Sequence, residues 1–423
     1  MQTSIRLLGQ KRFLPLFITQ FLGAFNDNLF KSAMVILVIY TIYSDPAKEA
    51  SFSAMAGALF ILPFFLFSAL SGQLADSRDK AKLIRIVKTA EIAIMLVGAA
   101  GLLLFSIPLM LAALFAMGVH STFFGPIKYA ILPQHLDSEH VLGGTGLVEA
   151  GTYIAILGGT IVGGIIPHQW AALGVILVAI IGRIAGGFVP PAPPAPDAPY
   201  FKMDFHLIRS SNALVSATMH IRHLYLAIIA ISFFWAIGAV LAAQFPPLVK
   251  NELGADQKVA TMFMAIFSVG VAIGSVAVNR LLKGKVSARF SPGSVIVMGL
   301  FVLDLWWTVS HWPPNPPHLM GLREFIGLSH ADRVLVDLLG IAIAGGMFVV
   351  PLYAFLTTTV AKTETARTVA ANNIVNSGAM VAAAGMLMGL SKVGVSVGDS
   401  LLLVAGGCVV AAWIAQQLHK ACD

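Results

Sequence analysis

The sequence predicts an all-α membrane protein of twelve transmembrane helices arranged as two six-helix repeats. Composition, span length and internal repetition carry that expectation. The chain has 423 residues, 57% of them hydrophobic and only 11% charged, with a mean hydropathy of +0.85. A soluble domain carries about 25% charged residues.

Apolar runs long enough to cross a bilayer, roughly 20 residues, fall at 13–43, 51–73, 83–106, 108–132, 141–166, 170–190, 222–249, 259–283, 291–311, 332–360, 367–391 and 396–418. The break between the third and fourth rests on Ser106-Ile107-Pro108 alone. After the sixth, the stretch 190–199 holds six prolines and reads as an extended, semi-rigid linker. Residues 203–220 place Phe205, Ile208, Val215 and Met219 loosely on one face. That pattern suits either a helix at the inner membrane surface or a plain connector. The expected domains are therefore 1–190, a cytoplasmic linker at 191–221, and 222–423. The first apolar segment is too long, and lacks a small-residue cleavage site, for a removable signal peptide.

Charge sets the expected orientation. With both termini in the cytoplasm, the inner side carries Arg6, Lys11, Arg12, then Arg78, Lys80, Lys82, Arg85 and Lys88 after span two. Later inner loops add Lys202, Arg209, Arg222, Arg280, Lys283, Lys285, Arg289, Lys362 and Arg367, whereas outer loops hold only Lys48, Lys250, Lys258, Arg323, Arg333 and Lys392. Such an imbalance fixes topology. It also accounts for the net charge of +7 without a nucleic-acid partner, because the basic residues are spread between spans. Cys408 and Cys422 suggest neither a disulfide framework nor a metal site, and no cofactor is expected.

The halves echo each other. Gly143–Gly151, which opens span five and contains Glu149, aligns without gaps on Ala370–Gly378, which opens span eleven. Phe123-Phe124-Gly125-Pro126 resembles Phe348-Val349-Val350-Pro351, and each is followed by a tyrosine, Tyr129 or Tyr353. Phe21-Leu22-Gly23-Ala24 resembles Phe233-Phe234-Trp235-Ala236. Three echoes in one order argue for two parallel repeats, the major-facilitator plan, with a substrate site between the halves.

The sharpest polar feature is Asn26-Asp27-Asn28 in span one, with Lys31 one turn later on the same face. A charged residue at a helix centre costs about 2.5–3.5 kcal/mol on insertion scales. The cluster is expected to face protein or water, either as a binding site or as an internal Asp27–Lys31 pair. Lys128 is a candidate ligand or a snorkelling lysine. Glu149 is a candidate ligand or a structural hydrogen bond. Asn372 and Asn376, one turn apart, read as helix glue or ligands. His120 reads as a satisfied core histidine sooner than as a titrating group. Asp304 and Asp337, in or near spans nine and ten, have no assigned role. Gly158-Gly159 and Gly163-Gly164 read as close helix packing rather than a nucleotide site.

The stretch from Gly72 to Lys80 resembles the signature cytoplasmic loop of the major facilitator superfamily. Gly72 is expected to allow close helix approach. Asp76 would cap a helix or pair with a base, and Arg78 and Lys80 would complete an ionic latch; a solvated topogenic loop is the plain alternative. The second-half equivalent, Gly274 with Asn279, Arg280 and Lys283, lacks the acid.

Gln20-Phe21-Leu22-Gly23-Ala24-Phe25-Asn26-Asp27-Asn28 is similar to the first-helix motif of bacterial lysophospholipid transporters. So are Pro126–Leu132, Gly146–Ala150 and Ser232–Gly238, the last containing Trp235. The resemblance covers nearly the whole chain. It looks closest to the transporter portion of proteins fused to a phospholipid acyltransferase and an acyl-carrier-protein synthetase. A stand-alone relative and a portion of a longer protein both remain open.

The resemblance implies a multi-pass protein of the bacterial inner membrane, not an enzyme, working as a monomer among membrane lipids. It would move lysophosphatidylethanolamine from the outer to the inner leaflet for reacylation, with an acyltransferase as partner or fused domain. Asp27 or Glu149 would take the ammonium, Lys31 or Lys128 the phosphate, and Asn26, Asn28 and Tyr129 would add hydrogen bonds. Trp235, Asn372 and Asn376 would complete the site from the second half. One departure stands out. Some relatives carry an arginine in span seven where this chain has Ala242, with Gln244 nearby. The competing readings are a proton-coupled exporter of amphipathic drugs and a membrane scaffold for an acyltransferase.

Overall fold

All twelve expected spans form helices in the computed structural model, which describes residues 6–194, 204–282, 287–358 and 365–422. They are α1 (Leu14–Leu37), α2 (Pro46–Ser77), α3 (Lys80–Leu103), α4 (Ile107–Ala130), α5 (Ser138–Ile165), α6 (His168–Gly187), α7 (Arg222–Pro247), α8 (Gln257–Leu281), α9 (Ser291–Ser310), α10 (Ala331–Thr358), α11 (Thr365–Lys392) and α12 (Ser400–Cys422). The rest of the proline-rich linker lies outside the described residues, as do Lys202, Lys283, Lys285 and Lys362 of the expected inner-side charges.

The uncertain break between spans three and four is real. Helix α3 ends at Leu103, Phe105 adopts a left-handed φ of 53°, and Pro108 sits in the first turn of α4. Proline is tolerated there because the first-turn N–H groups lack intrahelical partners anyway.

The repeat is visible in the packing. Helix α1 packs on α4, α5 and α6, and α3 on α4 and α6. In the second half α7 packs on α10, α11 and α12, and α9 on α10 and α12. The first helix of each repeat also ends the same way, in a five-residue π-helical turn, Val38–Ile42 and Leu248–Glu252.

The chain forms two compact units, Met1–Leu37 with Leu66–Ser210, and Val38–Phe65 with Ser211–Asp423. The stretch Val38–Phe65, assigned by sequence to the first six helices, thus packs with the second unit. Lys250 gives the reason. Its ammonium donates to the carbonyls of Ile39 (2.5 Å) and Tyr43 (3.1 Å) and to Glu49 Oε1 (2.6 Å). Asn251 Nδ2 takes the other Glu49 oxygen at 2.7 Å. Glu49 is fully buried, so its charge needs these donors. Lys250 was expected to serve only as an outer-loop charge.

Three further expectations change. Helix α2 runs through Gly72 and Asp76, leaving only Arg78 and Asp79 as the turn to α3. The cap expected of Asp76 belongs to Asp79, whose Oδ1 accepts from the N–H groups of Ala81 (2.9 Å), Lys82 (3.3 Å) and Ala192 (3.3 Å). A carboxylate satisfies orphan first-turn donors, an effect of about 1 kcal/mol. Gly72 has open space around it, with nothing within 4 Å of an added Cβ.

The connector between the halves contains a helix, Leu207–Met219. Arg209 Nη2 donates to Asp204 at 2.7 Å, and this guanidinium holds the Asp204 carboxyl down to about 2. Phe205 and Ile208 stand exposed beside this ion pair, the pattern expected of an interfacial helix.

Close packing of α1 and α5 rests on two glycines. A Cβ on Gly159 would lie 2.3 Å from the Phe25 carbonyl, and one on Gly163 2.4 Å from that of Leu29. Both obstacles are backbone, which cannot rotate away. Gly163→Val is therefore expected to cost about 1–3 kcal/mol through overpacking. Thermal unfolding of the detergent-solubilised protein should show a lowered midpoint, while Gly72→Ala leaves it unchanged. Equal midpoints for the two variants would contradict this packing.

Candidate functional site

Polar side chains in the first unit gather where α1, α3, α4 and α6 meet. Lys88 and Glu91, a turn apart on α3, are both fully buried and form an ion pair at 2.5 Å. Glycine at position 23 of α1 leaves room for the ammonium, since a Cβ there would come within 2.7 Å of Lys88 Nζ. The ammonium also lies 5.4 Å from the centre of the Phe124 ring, a favourable cation–π distance. Asn26 donates through Nδ2 to Glu91 Oε1 (2.9 Å) and to the Val175 carbonyl of α6 (3.1 Å). His120 Nε2 approaches Glu91 Oε2 to 3.3 Å.

Asp27 is the next residue outward. It is 8% exposed, and its Oδ2 accepts from Ser121 Oγ at 2.5 Å. Ser121 Oγ also lies 3.5 Å from His120 Nδ1. The other Asp27 oxygen, Oδ1, is buried with no hydrogen-bond partner. Lys31 and Lys128 both lie within electrostatic reach of Asp27.

A second polar group joins α4 to α5. The Tyr129 hydroxyl donates to Glu149 Oε1. Lys128 Nζ donates to Thr152 Oγ1 at 3.2 Å, and Thr152 Oγ1 lies 2.8 Å from Gln20 Oε1 on α1.

The second unit repeats this arrangement without the charges. Asn376 aligns with Glu149, and its Nδ2 donates to the Tyr353 hydroxyl at 3.3 Å. Asn372 Nδ2 reaches the same hydroxyl at 3.4 Å, and Trp235 Nε1 at 2.8 Å. Ser232 Oγ donates to Asn376 Oδ1 at 2.8 Å. Tyr353 is thus the hub around which Trp235, Asn372 and Asn376 converge.

The structure redistributes several expected roles. Asn26, a candidate ligand, is turned into the helix bundle and fully buried. Asn28 donates to the Ala24 carbonyl of its own helix at 2.9 Å. Lys88, counted with the cytoplasmic loop charges, is a core residue. Gln244, near the position of the missing span-seven arginine, is buried and donates to Ser400 Oγ of α12 at 2.7 Å. Asp76 and Arg78 are exposed, and Asp76 is within electrostatic reach of the buried Lys80. Arg333 Nε donates to Asp304 Oδ2 at 2.9 Å, which gives Asp304 the partner it lacked in sequence.

Sequence reasoning missed Glu91 and Lys88 as site residues. The available signal was their i,i+3 spacing inside an apolar run, the same kind of feature that marked Asp27 and Lys31.

The Major Facilitator Superfamily model matches residues 16–384, and the chain belongs to that superfamily. It is a multi-pass inner-membrane protein with a transporter fold and not an enzyme. The narrower resemblance to bacterial lysophospholipid transporters is also borne out. The lysophospholipid transporters LplT of Salmonella newport and Salmonella dublin are each 26% identical to it over 396 residues, covering 92% of this chain and 90% of theirs. Among solved structures, an auto-inhibited peptide transporter of the POT family superposes with a TM-score of 0.74 at 9% identity, covering 98% of each chain. A bacterial homolog of the human lysosomal transporter Spinster gives 0.67 at 14% identity over 96% of each chain. These two share the fold.

A buried ion pair that loses one partner leaves an uncompensated charge, which costs about 3–5 kcal/mol. Lys88→Met is expected to destabilise the protein by that order, and Lys88→Met with Glu91→Gln to recover most of it. Thermal unfolding of the two variants side by side checks this. A double variant no more stable than the single one would contradict a mutually compensating pair.

Proposed function

We propose that the protein is a lysophospholipid transporter. It takes a single-chain zwitterionic phospholipid of the lysophosphatidylethanolamine type from the outer to the inner leaflet by alternating access. Both termini lie in the cytoplasm, where an acyltransferase restores the second chain. The protein acts as a monomer. Near-full-length similarity to transporters named for lysophospholipids supports the cargo class.

The observation that carries the reading on this chain is the grouping of opposite charges within one helix bundle, with Lys31 and Lys128 in electrostatic reach of Asp27 and Lys128 in reach of Glu149. A zwitterionic head brings an ammonium and a phosphate together. Asp27 and Glu149 suit the ammonium, Lys31 and Lys128 the phosphate, and Tyr129 adds a hydroxyl. Charge-assisted hydrogen bonds are roughly twice as strong as neutral ones, so such a site holds the head firmly without binding neutral solutes. Phosphate contact falls to the first unit because span seven offers Ala242 instead of a base, and Gln244 is already engaged with Ser400. Phenylalanine- and methionine-rich spans supply an apolar wall for one acyl tail. Trp235, Asn372 and Asn376 form the uncharged complement around Tyr353. Asp76, Arg78 and Lys80 form the inner gate, with Asp76 and Lys80 as its ionic element.

The test is lysophosphatidylethanolamine translocation in proteoliposomes. Wild-type protein should move the lipid. Asp27→Asn and Lys128→Met should each slow movement by about 10–100-fold, the equivalent of one lost charged hydrogen bond of about 1.5–3 kcal/mol. Movement of amphipathic cations driven by a pH gradient, with no lysolipid movement, would overturn the reading in favour of a drug exporter.

A further inference from the structure

We propose that a cavity beside the amino-terminal end of α1 is an anion site, shaped to hold a phosphate group such as the head of an acidic phospholipid. It lies apart from the transport site, and it does not depend on which cargo the protein moves.

The cavity has a volume of about 390 Å³, with Lys11 and Arg12 on one side and His135, Asp137 and His140 on the other. Small-ligand pockets span about 300–1,000 Å³. Leu136 also lines it and belongs to a buried apolar cluster with Leu7 and Phe13, so the charged rim stands on a packed base.

His135 marks the cavity as more than a surface hollow. It closes the short helical turn Leu132–His135 and is only 7% exposed. Among the described residues, neither of its ring nitrogens has a hydrogen-bond partner. The carbonyls of Arg12, Pro190 and Pro191 stand near the ring but outside hydrogen-bond geometry. Buried polar groups are almost always satisfied. An imidazole with both nitrogens unpaired, lining a cavity, is therefore a group kept for a ligand. Burial holds its pKa below the usual imidazole range, so the neutral ring offers one N–H donor.

The charges select an anion. Lys11 and Arg12 are exposed, and among the described residues neither has an ion-pair partner. Arg12 is within electrostatic reach of His135. Two long helices begin here, α1 at Leu14 and α5 at Ser138. A helix start carries about half a positive charge and free N–H groups, and both favour an anion. Asp137 precedes α5 but makes no side-chain cap, so its carboxylate leaves those donors untaken. That carboxylate is 92% exposed, with Oδ2 3.8 Å from His140 Nδ1. It is the acid of the lining, set against two cations.

Depth favours a lipid head. Phe13, where the first apolar run begins, follows Arg12 directly, which puts the two basic side chains at head-group level. Basic pockets at this level between transmembrane helices take acidic lipid heads. A phospholipid held here would tie the start of α1 to the turn between α4 and α5. Those three helices carry Asp27, Lys128 and Glu149.

Native mass spectrometry of the detergent-solubilised full-length protein, titrated with dioleoyl phosphatidylglycerol, tests the inference. This lipid has two chains and is distinct from the single-chain cargo. Wild type should bind it at least about 10-fold more tightly than Lys11→Gln/Arg12→Gln, the equivalent of one charged hydrogen bond. Lys82→Gln, exposed at the same membrane face but outside the cavity, should match the wild type. Zwitterionic dioleoyl phosphatidylcholine should not distinguish wild type from variants.

Inorganic phosphate and glycerol 3-phosphate, added as competitors and followed separately by thermal unfolding, identify the source of the anion. Displacement of the lipid, or a midpoint raised by either competitor in the wild type but not in Lys11→Gln/Arg12→Gln, supports a site for the phosphate group itself. Lipid binding that resists both competitors supports a site for head and chains together. Binding of neither lipid nor phosphate overturns the proposal, as does equal weakening in Lys82→Gln and Lys11→Gln/Arg12→Gln. Either result leaves the transport reading standing, because lysophosphatidylethanolamine translocation is measured independently.

Discussion

Charge buried in an apolar helix bundle has to be neutralised locally, and the first unit is organised around that constraint. Lys88 and Glu91 neutralise each other inside α3, out of reach of water. Their presence explains neighbouring choices that are otherwise odd. Gly23 leaves space for the ammonium, Asn26 turns inward to occupy the second carboxylate oxygen, and His120 stands against the first. Asp27, beside Asn26 on α1, accepts from Ser121, the neighbour of His120 on α4.

The two repeats share their helix pairings but not their chemistry. In each, a tyrosine late in the fourth helix meets a polar side chain of the fifth. Tyr129 meets a carboxylate in the first repeat, and Tyr353 meets amides in the second. Duplicated backbone geometry thus carries two differently charged walls. The charged wall suits a polar head and titratable groups, whereas the amide wall suits neutral hydrogen bonds and the flat face of Trp235. The second unit, which takes in the start of α2, holds the buried carboxylate of Glu49, satisfied by Lys250 and Asn251 in the turn that follows α7.

The fold was legible because hydrophobic length is a local property. All twelve spans appear in sequence as apolar runs, and even the weak Ser106-Ile107-Pro108 signal marks a true helix start. Glycine pairs at Gly159 and Gly163 were legible as close packing for the same reason. Side-chain partners were not. Lys88 looked like a loop charge because its position relative to Gly23 and Glu91 depends on tertiary packing that no window reveals. Asn26 looked like a ligand because adjacency to Asp27 suggests a shared face, yet successive residues on a helix point about 100° apart. Asp76 looked like a cap because helix ends carry an uncertainty of one or two residues, and here the helix continued past it. Asp27, Lys128, Tyr129 and Glu149 stand out in sequence as polar residues in apolar spans, but the hydrogen bonds joining Tyr129 to Glu149 and Asp27 to Ser121 needed coordinates.

The central claim is that the first unit's charges receive a zwitterionic lipid head. Cryo-electron microscopy of the protein in nanodiscs, with lysophosphatidylethanolamine added, tests it most directly. The account predicts head-group density with its ammonium at Asp27 or Glu149 and its phosphate at Lys31 or Lys128, and the Lys88–Glu91 pair intact behind it. A head group resting on the amide wall around Tyr353, with Asp27, Glu149, Lys31 and Lys128 all untouched, would contradict it.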